Sequence, residues 1–360
     1  MPNNDFSSSH DHGQPDPFPL TRSYAGVPRP LLPPPLGLDR PWDNLGHASP
    51  QGGPHVDDVS GHSVMGAPAT PVARLRLLRY GNQALPEAIK PFLREVPAHL
   101  DVKALHLDGD ASLHSEYASK PRRFDSPLLD GLNALTASHR NGVPELWTSA
   151  EWGQEYAILM TRLVGGNPAP RQIEIHPPFM SSASTIGTFL ARYEVFEKAI
   201  FQAYPECGVV LENRTGTKHS HPFLMSGSAS ILAMGLALQN SQLKLGIALD
   251  LPQMFTAEFG TRHLVGFEGV PLIERLVPIR DRIRTLHLWG RGAGGGAHGG
   301  GLDGLFDAKT DAKRACLLSL RNLLSDGEPR HLVIEVRRAG DVASIIRDLE
   351  EAGIVLETAQ

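Results

Sequence analysis

Cysteine is scarce in this chain of 360 residues, which has neither an excess of basic charge nor a long apolar run. The two cysteines, Cys207 and Cys316, belong to no Cys-x-x-Cys pair. The sequence therefore favours neither a disulfide framework nor a thiolate metal site, and it predicts two partly buried thiols. No stretch approaches the roughly 18 apolar residues of a membrane-spanning helix, and the first residues lack the basic start and apolar core of a secretory signal. These absences predict a cytoplasmic protein with no membrane partner.

The charge balance argues against nucleic acid as the main partner. The formal net charge is −5, from 34 basic and 39 acidic residues, so no overall positive field attracts a phosphate backbone. A net negative charge can still hide a local basic cleft. The charge balance therefore disfavours nucleic acid as a partner but does not exclude it. Hydrophobic residues make up 41% of the chain, an ordinary globular balance with ample material for a core.

Composition divides the chain near residue 71. Residues 1–71 are rich in Pro, Gly, Ser, His and Asp, with runs such as PRPLLPPPLGL and ASPQGGPH that have neither a helical nor a strand period. Such a segment lacks the periodic apolar surface that would offset its ordering entropy. We therefore expect a disordered tail over residues 1–71 and a single folded domain over residues 72–360.

From Ala73 onward, short apolar runs alternate with amphipathic stretches. This alternation predicts parallel strands joined by helical crossovers. Pro144 weakens the third run as a strand. The eight candidate strands are RLRLLRY (74–80), VKALHL (102–107), VPELWT (143–148), QIEIH (172–176), GVVLE (208–212), LGIALD (245–250), RTLHL (284–288) and HLVIEV (331–336).

Helical patterns lie between these strands. Residues 187–204 and 311–324 each carry an apolar stripe at helical spacing, and residues 341–352 do so between a candidate N-cap, Asp341, and a closing Gly353. Eight strand–helix repeats in about 290 residues fit a (β/α)8 barrel of the TIM type better than an open sheet. An open sheet is the alternative if the third strand is absent.

Four consecutive late strands end in a polar residue. These residues are Glu212, Asp250, His287 and Glu335. A single acid at a strand end is more often a helix N-cap, but four at one level would converge at the barrel mouth, where barrels of this type keep their active sites. Three carboxylates and an imidazole form an oxygen-rich cage that suits one divalent ion: Mn²⁺, Mg²⁺ or Co²⁺, with Zn²⁺ tolerated.

The motifs around these residues resemble the xylose isomerase-like barrel superfamily, which includes sugar isomerases, sugar epimerases and the second family of AP endonucleases. The resemblance covers roughly residues 170–350. It is carried by IEIHPPF (173–179), VVLEN (209–213), ALDLPQ (248–253), LHLWG (286–290), His298 with the following GGGLDGLF, and LVIEVR (332–337).

This resemblance implies a function and a set of roles. In members with one metal, the residues matching Glu212, Asp250, His287 and Glu335 hold the ion, and those matching the two glutamates also move the substrate proton. The chain is therefore expected to be a metal-dependent isomerase or epimerase of a sugar or hydroxy-keto substrate, acting through an enediolate. Barrels of this kind often form homodimers.

The chain departs from the endonuclease pattern at three places. Gln253 stands where a histidine is usual, Trp147 and Thr148 occupy the neighbourhood of another expected histidine, and Gly296 replaces an acid two residues before His298. One metal site is therefore expected rather than three. Two alternatives stay open: a metal-dependent phosphodiesterase acting on abasic DNA, and a non-catalytic or repurposed barrel. Two residues support the non-catalytic or repurposed barrel: Gln253, and Lys218, which stands where sugar epimerases often carry a second acid.

Further residues are candidates for contact with a small-molecule substrate. Two arginines lie two residues beyond a site glutamate, where strand alternation would point them toward the same mouth. The glycine-rich segment GRGAGGGAHGGG (290–301) lacks the ending of a phosphate-binding loop. We expect it to form a mobile lid, with a plain flexible loop as the alternative. The candidates are His176, Arg214, Gln253, Arg291, His298 and Arg337.

Overall fold

The computed structural model describes residues 71–81, 85, 87–94, 96, 105–115, 135, 139–140, 143–215, 222–336 and 338–358. The predicted tail, apart from its last residue, lies outside these ranges, as do Lys218 and Arg337. The division of the chain at residue 71 therefore stays a prediction.

A closed ring of parallel strands forms the centre of the domain. The strand order is β8-β1-β2-β3-β4-β5-β6-β7, and β7 also pairs with β1, from Leu75 opposite Arg330 to Leu78 opposite Val333. Seven strands therefore close the ring, and the short β8 joins the beginning of β1. This arrangement confirms the predicted α/β barrel. The strands are β1 Arg74–Tyr80, β2 Ala111–His114, β3 Gln172–Ile175, β4 Gly208–Glu212, β5 Gly246–Asp250, β6 Ile283–Leu288, β7 Arg330–Ile334 and β8 Val355–Glu357.

Helices follow most of the strands, as the amphipathic stretches predict. They are α1 Ala150–Val164, α2 Ile186–Ala203, α3 Ser228–Gln239, α4 Leu251–Phe259, α5 Val270–Glu274, α6 Ala312–Leu324 and α7 Ala339–Glu351, with 3₁₀ segments at Glu87–Phe92, Val277–Arg282 and Leu302–Leu305. Asp341 lies in the first turn of α7 rather than at its N-cap, which is Arg338. None of the helices in the part of the chain that the structure describes has the length and apolarity to cross a lipid bilayer.

Two strand predictions are wrong in position, and one strand was not predicted. The described residues of the second candidate, 105–107, form no strand, and β2 begins only after a tight turn in which the amide of Ala111 donates to the carbonyl of Asp108 (3.1 Å). In the third candidate, Val143–Pro144 pairs antiparallel with His139–Arg140 in a separate small hairpin. The ring instead gains β8, which follows α7 and is only three residues long.

The sequence of the third candidate resembles that of a strand because its apolar residues pack into the core. Trp147 is fully buried, and its ring packs edge-on against Tyr156, Phe189 and Phe196 at centroid distances of 5.8, 5.5 and 5.4 Å. Its indole N–H donates to the carbonyl of His176 at 2.7 Å. The residue therefore fixes the chain just beyond β3 to the packed faces of α1 and α2, next to the carboxyl ends of the strands.

A neutral polar layer crosses the middle of the barrel. The Gln172 amide group donates to Ser112 Oγ at 3.1 Å and accepts from Thr285 Oγ1 at 2.7 Å, and all three side chains are buried. Ser112 Oγ in turn donates to Glu174 Oε2 at 3.3 Å. Buried polar groups need partners of this kind, and the layer joins β2, β3 and β6 below the functional end.

We predict that Trp147→Ala lowers the free energy of unfolding by about 3–5 kcal/mol, because a fully buried indole leaves a cavity among rings that cannot collapse into it. Urea denaturation measures the difference. Phe267→Ala is the matched control, because Phe267 is 70% exposed and its loss should change stability by less than about 0.5 kcal/mol. Equal effects of the two substitutions would contradict the packing described.

Candidate metal centre

Parallel strands bring four ionisable side chains together at one end of the barrel. Glu174 lies in β3, Glu212 ends β4, His287 lies near the end of β6, and Glu335 directly follows β7. Side chains alternate along a strand, and these four all point inward. Glu174, Glu212 and His287 are at most 1% exposed, and the side chain of Glu335 is 9% exposed.

His287 is the centre of this group. Its Nε2 lies 3.1 Å from Glu174 Oε2, and its Nδ1 lies 3.2 Å from Glu335 Oε1 and 3.8 Å from Glu212 Oε1. All four side chains offer ligand atoms that lie within 4.8 Å of one another. We call these four residues the His287 cluster.

Tyr80, the last residue of β1, contacts three members of the cluster. Its hydroxyl donates to Glu335 Oε1 and lies 2.9 Å from Glu174 Oε1 and 3.3 Å from His287 Nδ1. Burial, followed by the negative charges of Glu174 and Glu335, raises the pKa of Tyr80 well above its ordinary value. The phenol therefore stays neutral, and its one O–H, which lies between Glu335 and Glu174, can donate to one of them at a time.

The electrostatics of the cluster keep the carboxylates of Glu174 and Glu335 ionised. Burial alone would lower the pKa of His287, but the carboxylates of Glu174 and Glu212 outweigh it and raise that pKa well above the ordinary value. Burial alone would raise the pKa of Glu335, but hydrogen bonds and charge from His287 and His298 hold it well below the ordinary value. The pKa of Glu174 is lowered in the same way, because His287 outweighs the effect of burial.

A second group shares Glu212 with the first. His176 Nε2 lies 3.1 Å from Glu212 Oε2, and His114 Nε2 lies 4.0 Å from the same oxygen. The three side chains again present ligand atoms within 4.8 Å of one another. Glu212 thus offers one oxygen to the His287 cluster and the other to a pair of histidines, which we call the His114–His176 pair.

The donor set fits a divalent cation. Among the described residues, every ion pair of Glu174, Glu212 and Glu335 is with a histidine, so three carboxylates face one imidazolium in the His287 cluster. Within the same part of the chain, Glu212 Oε2 and His287 Nε2 are buried without a hydrogen-bond partner, although His176 Nε2 and Glu174 Oε2 respectively lie 3.1 Å from them. Atoms that converge without hydrogen-bond geometry are what ligands around one ion require.

Asp250 lies beside the cluster rather than within it. Its Oδ1 accepts from the amide of Gln253 at 2.7 Å as the N-cap of α4, and its Oδ2 accepts from Trp289 Nε1 at 2.9 Å. Burial, followed by the negative charges of Glu212 and Glu335, raises the pKa of Asp250 well above its ordinary value. Asp250 as a metal ligand therefore stays a prediction, and Glu174 offers a ligand atom within the cluster that the sequence did not indicate.

The predicted substrate contacts divide into two sets. Gln253 Nε2 donates to Glu212 Oε1 at 3.2 Å, and His298 Nδ1 lies 3.2 Å from Glu335 Oε2. With His176, these residues line the site. Arg291 does not reach it, because its guanidinium donates to Thr256 Oγ1 (2.7 Å) and to carbonyls at the end of α4. The guanidinium of Arg214 lies 5.2 Å from the ring of Phe223, and Arg337 is outside the described residues.

The glycine-rich segment forms a narrow hairpin that carries His298. The amide of Gly290 donates to the carbonyl of Gly300 at 2.8 Å, and a Cβ at Gly290 would lie 1.6 Å from the carbonyl oxygen of Gly301. Glycine is therefore required there for close backbone approach. His298 has a φ of 57°, and its ring lies 4.4 Å from that of Trp289. Motion of this hairpin as a lid stays a prediction.

Sequence reasoning missed Glu174, Tyr80 and His114. The first had a usable signal: in QIEIH, residues 172, 174 and 176 alternate with isoleucines, so Gln172, Glu174 and His176 share the inward face. Tyr80 ends a correctly predicted strand but is a common core residue. His114 lies in β2, which was predicted at a different place.

Comparisons with known proteins give remote likenesses of fold. No family model and no curated protein matches the chain. The similar solved structures include a D-tagatose 3-epimerase-like protein (13% identity, TM-score 0.38, 78% of this chain and 96% of that one) and a xylose isomerase domain protein from Alicyclobacillus acidocaldarius (13%, 0.40, 78% and 98%). A mannonate dehydratase from Streptococcus suis is another (11%, 0.38, 78% and 94%). The motifs resemble the same superfamily, but likenesses this remote carry no activity over to this chain.

We predict that Glu174→Gln weakens Mn²⁺ binding more than Asp250→Asn does. Glu174 belongs to the group of converging ligand atoms, with Oε2 3.1 Å from His287 Nε2, whereas Asp250 lies outside that group and caps α4. Removing a ligand carboxylate should weaken binding by at least the ~10–100-fold seen for outer-shell changes, measured by isothermal titration of metal-free protein. The reverse order of effects would restore Asp250 as the fourth ligand.

Proposed function

We propose that this chain is a metal-dependent isomerase or epimerase that acts on a sugar or a hydroxy-keto compound. The observation that carries the proposal is the pair of glutamates, Glu212 and Glu335, that approach the same nitrogen of His287 within one buried cluster. Two carboxylates from different strands of one site can serve two faces, or two neighbouring carbons, of a single small substrate.

A divalent ion would be held by Glu174, Glu212, His287 and Glu335. When bound, such an ion polarises a substrate carbonyl and stabilises the negative charge that develops on it. The protein supplies the rest. Gln253 and His298 hold the two glutamates in orientation from outside the cluster.

Proton transfer would be the task of the two glutamates. The low pKa of Glu335, set by His287 and His298 against the effect of burial, keeps this carboxylate ionised and able to accept a proton from the carbon next to the carbonyl. Glu212, after taking up a proton from solvent, would return it on the opposite face in epimerisation, or at the neighbouring carbon in isomerisation. A positioned carboxylate contributes about 10²–10⁴-fold to such a step.

The test is deuterium exchange. Full-length protein loaded with Mn²⁺ is incubated in D₂O with a panel of ketoses, aldoses and hydroxy-keto acids, and NMR follows deuterium at the carbon next to the carbonyl. We expect exchange together with product formation for at least one compound, and a fall of at least about 100-fold in Glu335→Gln. The variant Arg314→Gln is the control, because Arg314 is exposed on α6 and is not one of the cluster residues. Exchange that survives Glu335→Gln would overturn the assignment.

One observation favours a second function, metal-dependent cleavage of a phosphodiester. Glu212 is shared between the His287 cluster and the His114–His176 pair, and a shared carboxylate is a common means of placing two metal ions close enough to act on one phosphate. Two equivalents of tightly bound metal, both reduced by Glu212→Gln, together with nicking of an abasic duplex, would establish this function. One equivalent of bound metal, with no nicking of the duplex, would rule out this second function and leave the isomerase proposal standing.

A further inference from the structure

The amino-terminal opening of the barrel, at the end opposite the His287 cluster, carries a cluster of basic side chains. Arg76 is the third residue of β1 and pairs directly with His331, the second residue of β7. Arg284 is the second residue of β6, next to Thr285, which also pairs with His331. Arg171 immediately precedes β3. Because all ring strands are parallel, these four residues share one end of the barrel, and we call them the amino-terminal basic cluster.

From this arrangement we propose that the amino-terminal basic cluster binds a small oxyanion of the phosphate class. The site is separate from the His287 cluster and does not depend on the function proposed for it.

The side chain of Arg284 lies across the opening, because the pairing of β5 with β6 skips Arg284 and so breaks the alternation of side chains there. A Cβ built on Gly246, in β5, would lie 2.5 Å from Arg284 Cγ and 3.3 Å from Val210 Cγ1. Gly246 shares the inward face of β5 with Ala248 and Asp250, so the arginine passes over the start of β5 at the mouth of the ring. Any larger residue at position 246 would displace it.

The cluster has more positive than negative charge. Arg76 lies 3.4 Å from the carboxylate of Glu357, and Arg171 Nε donates to the carbonyl of Gly109 at 2.9 Å. Within the described part of the chain, Arg284 makes neither an ion pair nor a hydrogen bond. Three guanidinium groups thus share a single paired carboxylate, and at least one has its donors available.

The positive charges of the three arginines all act on the ring of His331. Burial, followed by the positive charges of Arg171, Arg76 and Arg284, lowers its pKa to about 4. Its ring is therefore neutral at neutral pH and offers one N–H donor without adding charge. An anion placed among these groups would relieve the repulsion that the arginines impose on one another.

The chemistry of these side chains selects the class of ligand. Guanidinium groups match the oxygens of phosphate in paired hydrogen bonds, and they bind more readily where they are not already used within the protein. Arg284 is exposed and the other three residues are partly buried, so a ligand can enter from solvent. A ring of seven strands leaves room at its mouth for a small group rather than for a folded partner.

The experiment is isothermal titration of the full-length protein with inorganic phosphate, pyrophosphate and ribose 5-phosphate at constant low ionic strength. We expect one equivalent to bind, with affinity reduced about tenfold or more in Arg284→Gln, as for loss of a charge-assisted hydrogen bond. Arg314→Gln removes an equal charge from an exposed position on α6 and should bind as the wild type does. Tighter binding of ribose 5-phosphate than of phosphate would identify a phosphorylated metabolite as the ligand, and the reverse would identify free phosphate.

A metal ion in the His287 cluster could also bind phosphate, so the titration is repeated with Glu174→Gln. Binding that persists in this variant and is lost in Arg284→Gln supports the amino-terminal site. The proposal is overturned if none of the three anions binds, if Arg284→Gln binds them as tightly as the wild type, or if Glu174→Gln abolishes binding.

Discussion

Three glutamate carboxylates held around the imidazole of His287 are the constraint on which the functional end of this barrel depends. Buried carboxylates are stable only with partners, and here the partners come from separate strands: His287 from β6, Tyr80 from β1 and Ser112 from β2. None of these strands is adjacent to all the others, so the arrangement exists only when the ring is closed. Closure and charge compensation are therefore coupled, and a divalent cation would favour the same closed state because it binds only there.

Glu212 links the two candidate functions through its two oxygens. Oε1 faces His287 and accepts from Gln253, whereas Oε2 faces His176 and His114. One ion in the His287 cluster leaves Oε2 and the histidines to bind substrate hydroxyls, which suits a sugar. A second ion at the His114–His176 pair turns the same oxygen into a bridge, which suits a phosphodiester. Under these two proposals, the number of ions bound would decide between the two reactions, although the protein ligands would be the same.

Much of the fold could be predicted from the sequence, because long periodic segments specify their own structure. The run from Arg74 to Tyr80 and the run GVVLE are strands as predicted, and the stripe of Phe189, Phe196 and neighbouring residues is the buried face of α2. The short β2 and β8 could not be predicted, because four and three residues carry no measurable period. At the site, the sequence indicated the polar residues that end strands. It did not indicate Glu174, which lies two residues before His176, on the same face of a strand that looks apolar. An aspartate that ends a strand and begins a helix, as Asp250 does, satisfies the pattern of a ligand and that of an N-cap equally well.

The interior of the barrel is polarised along its axis, with carboxylates at one end and guanidinium groups at the other. Between them lies the layer of Gln172, Ser112 and Thr285, which is polar but uncharged and hydrogen-bonded within itself. An arginine in that layer would pair with Glu174 or Glu335 and remove the negative charge that a metal ion requires. An aliphatic residue there would leave the oxygens of Glu174 without the hydroxyl of Ser112. Neutral hydrogen-bonding side chains avoid both outcomes, because they hold the carboxylates in place while the two charged ends stay electrically separate.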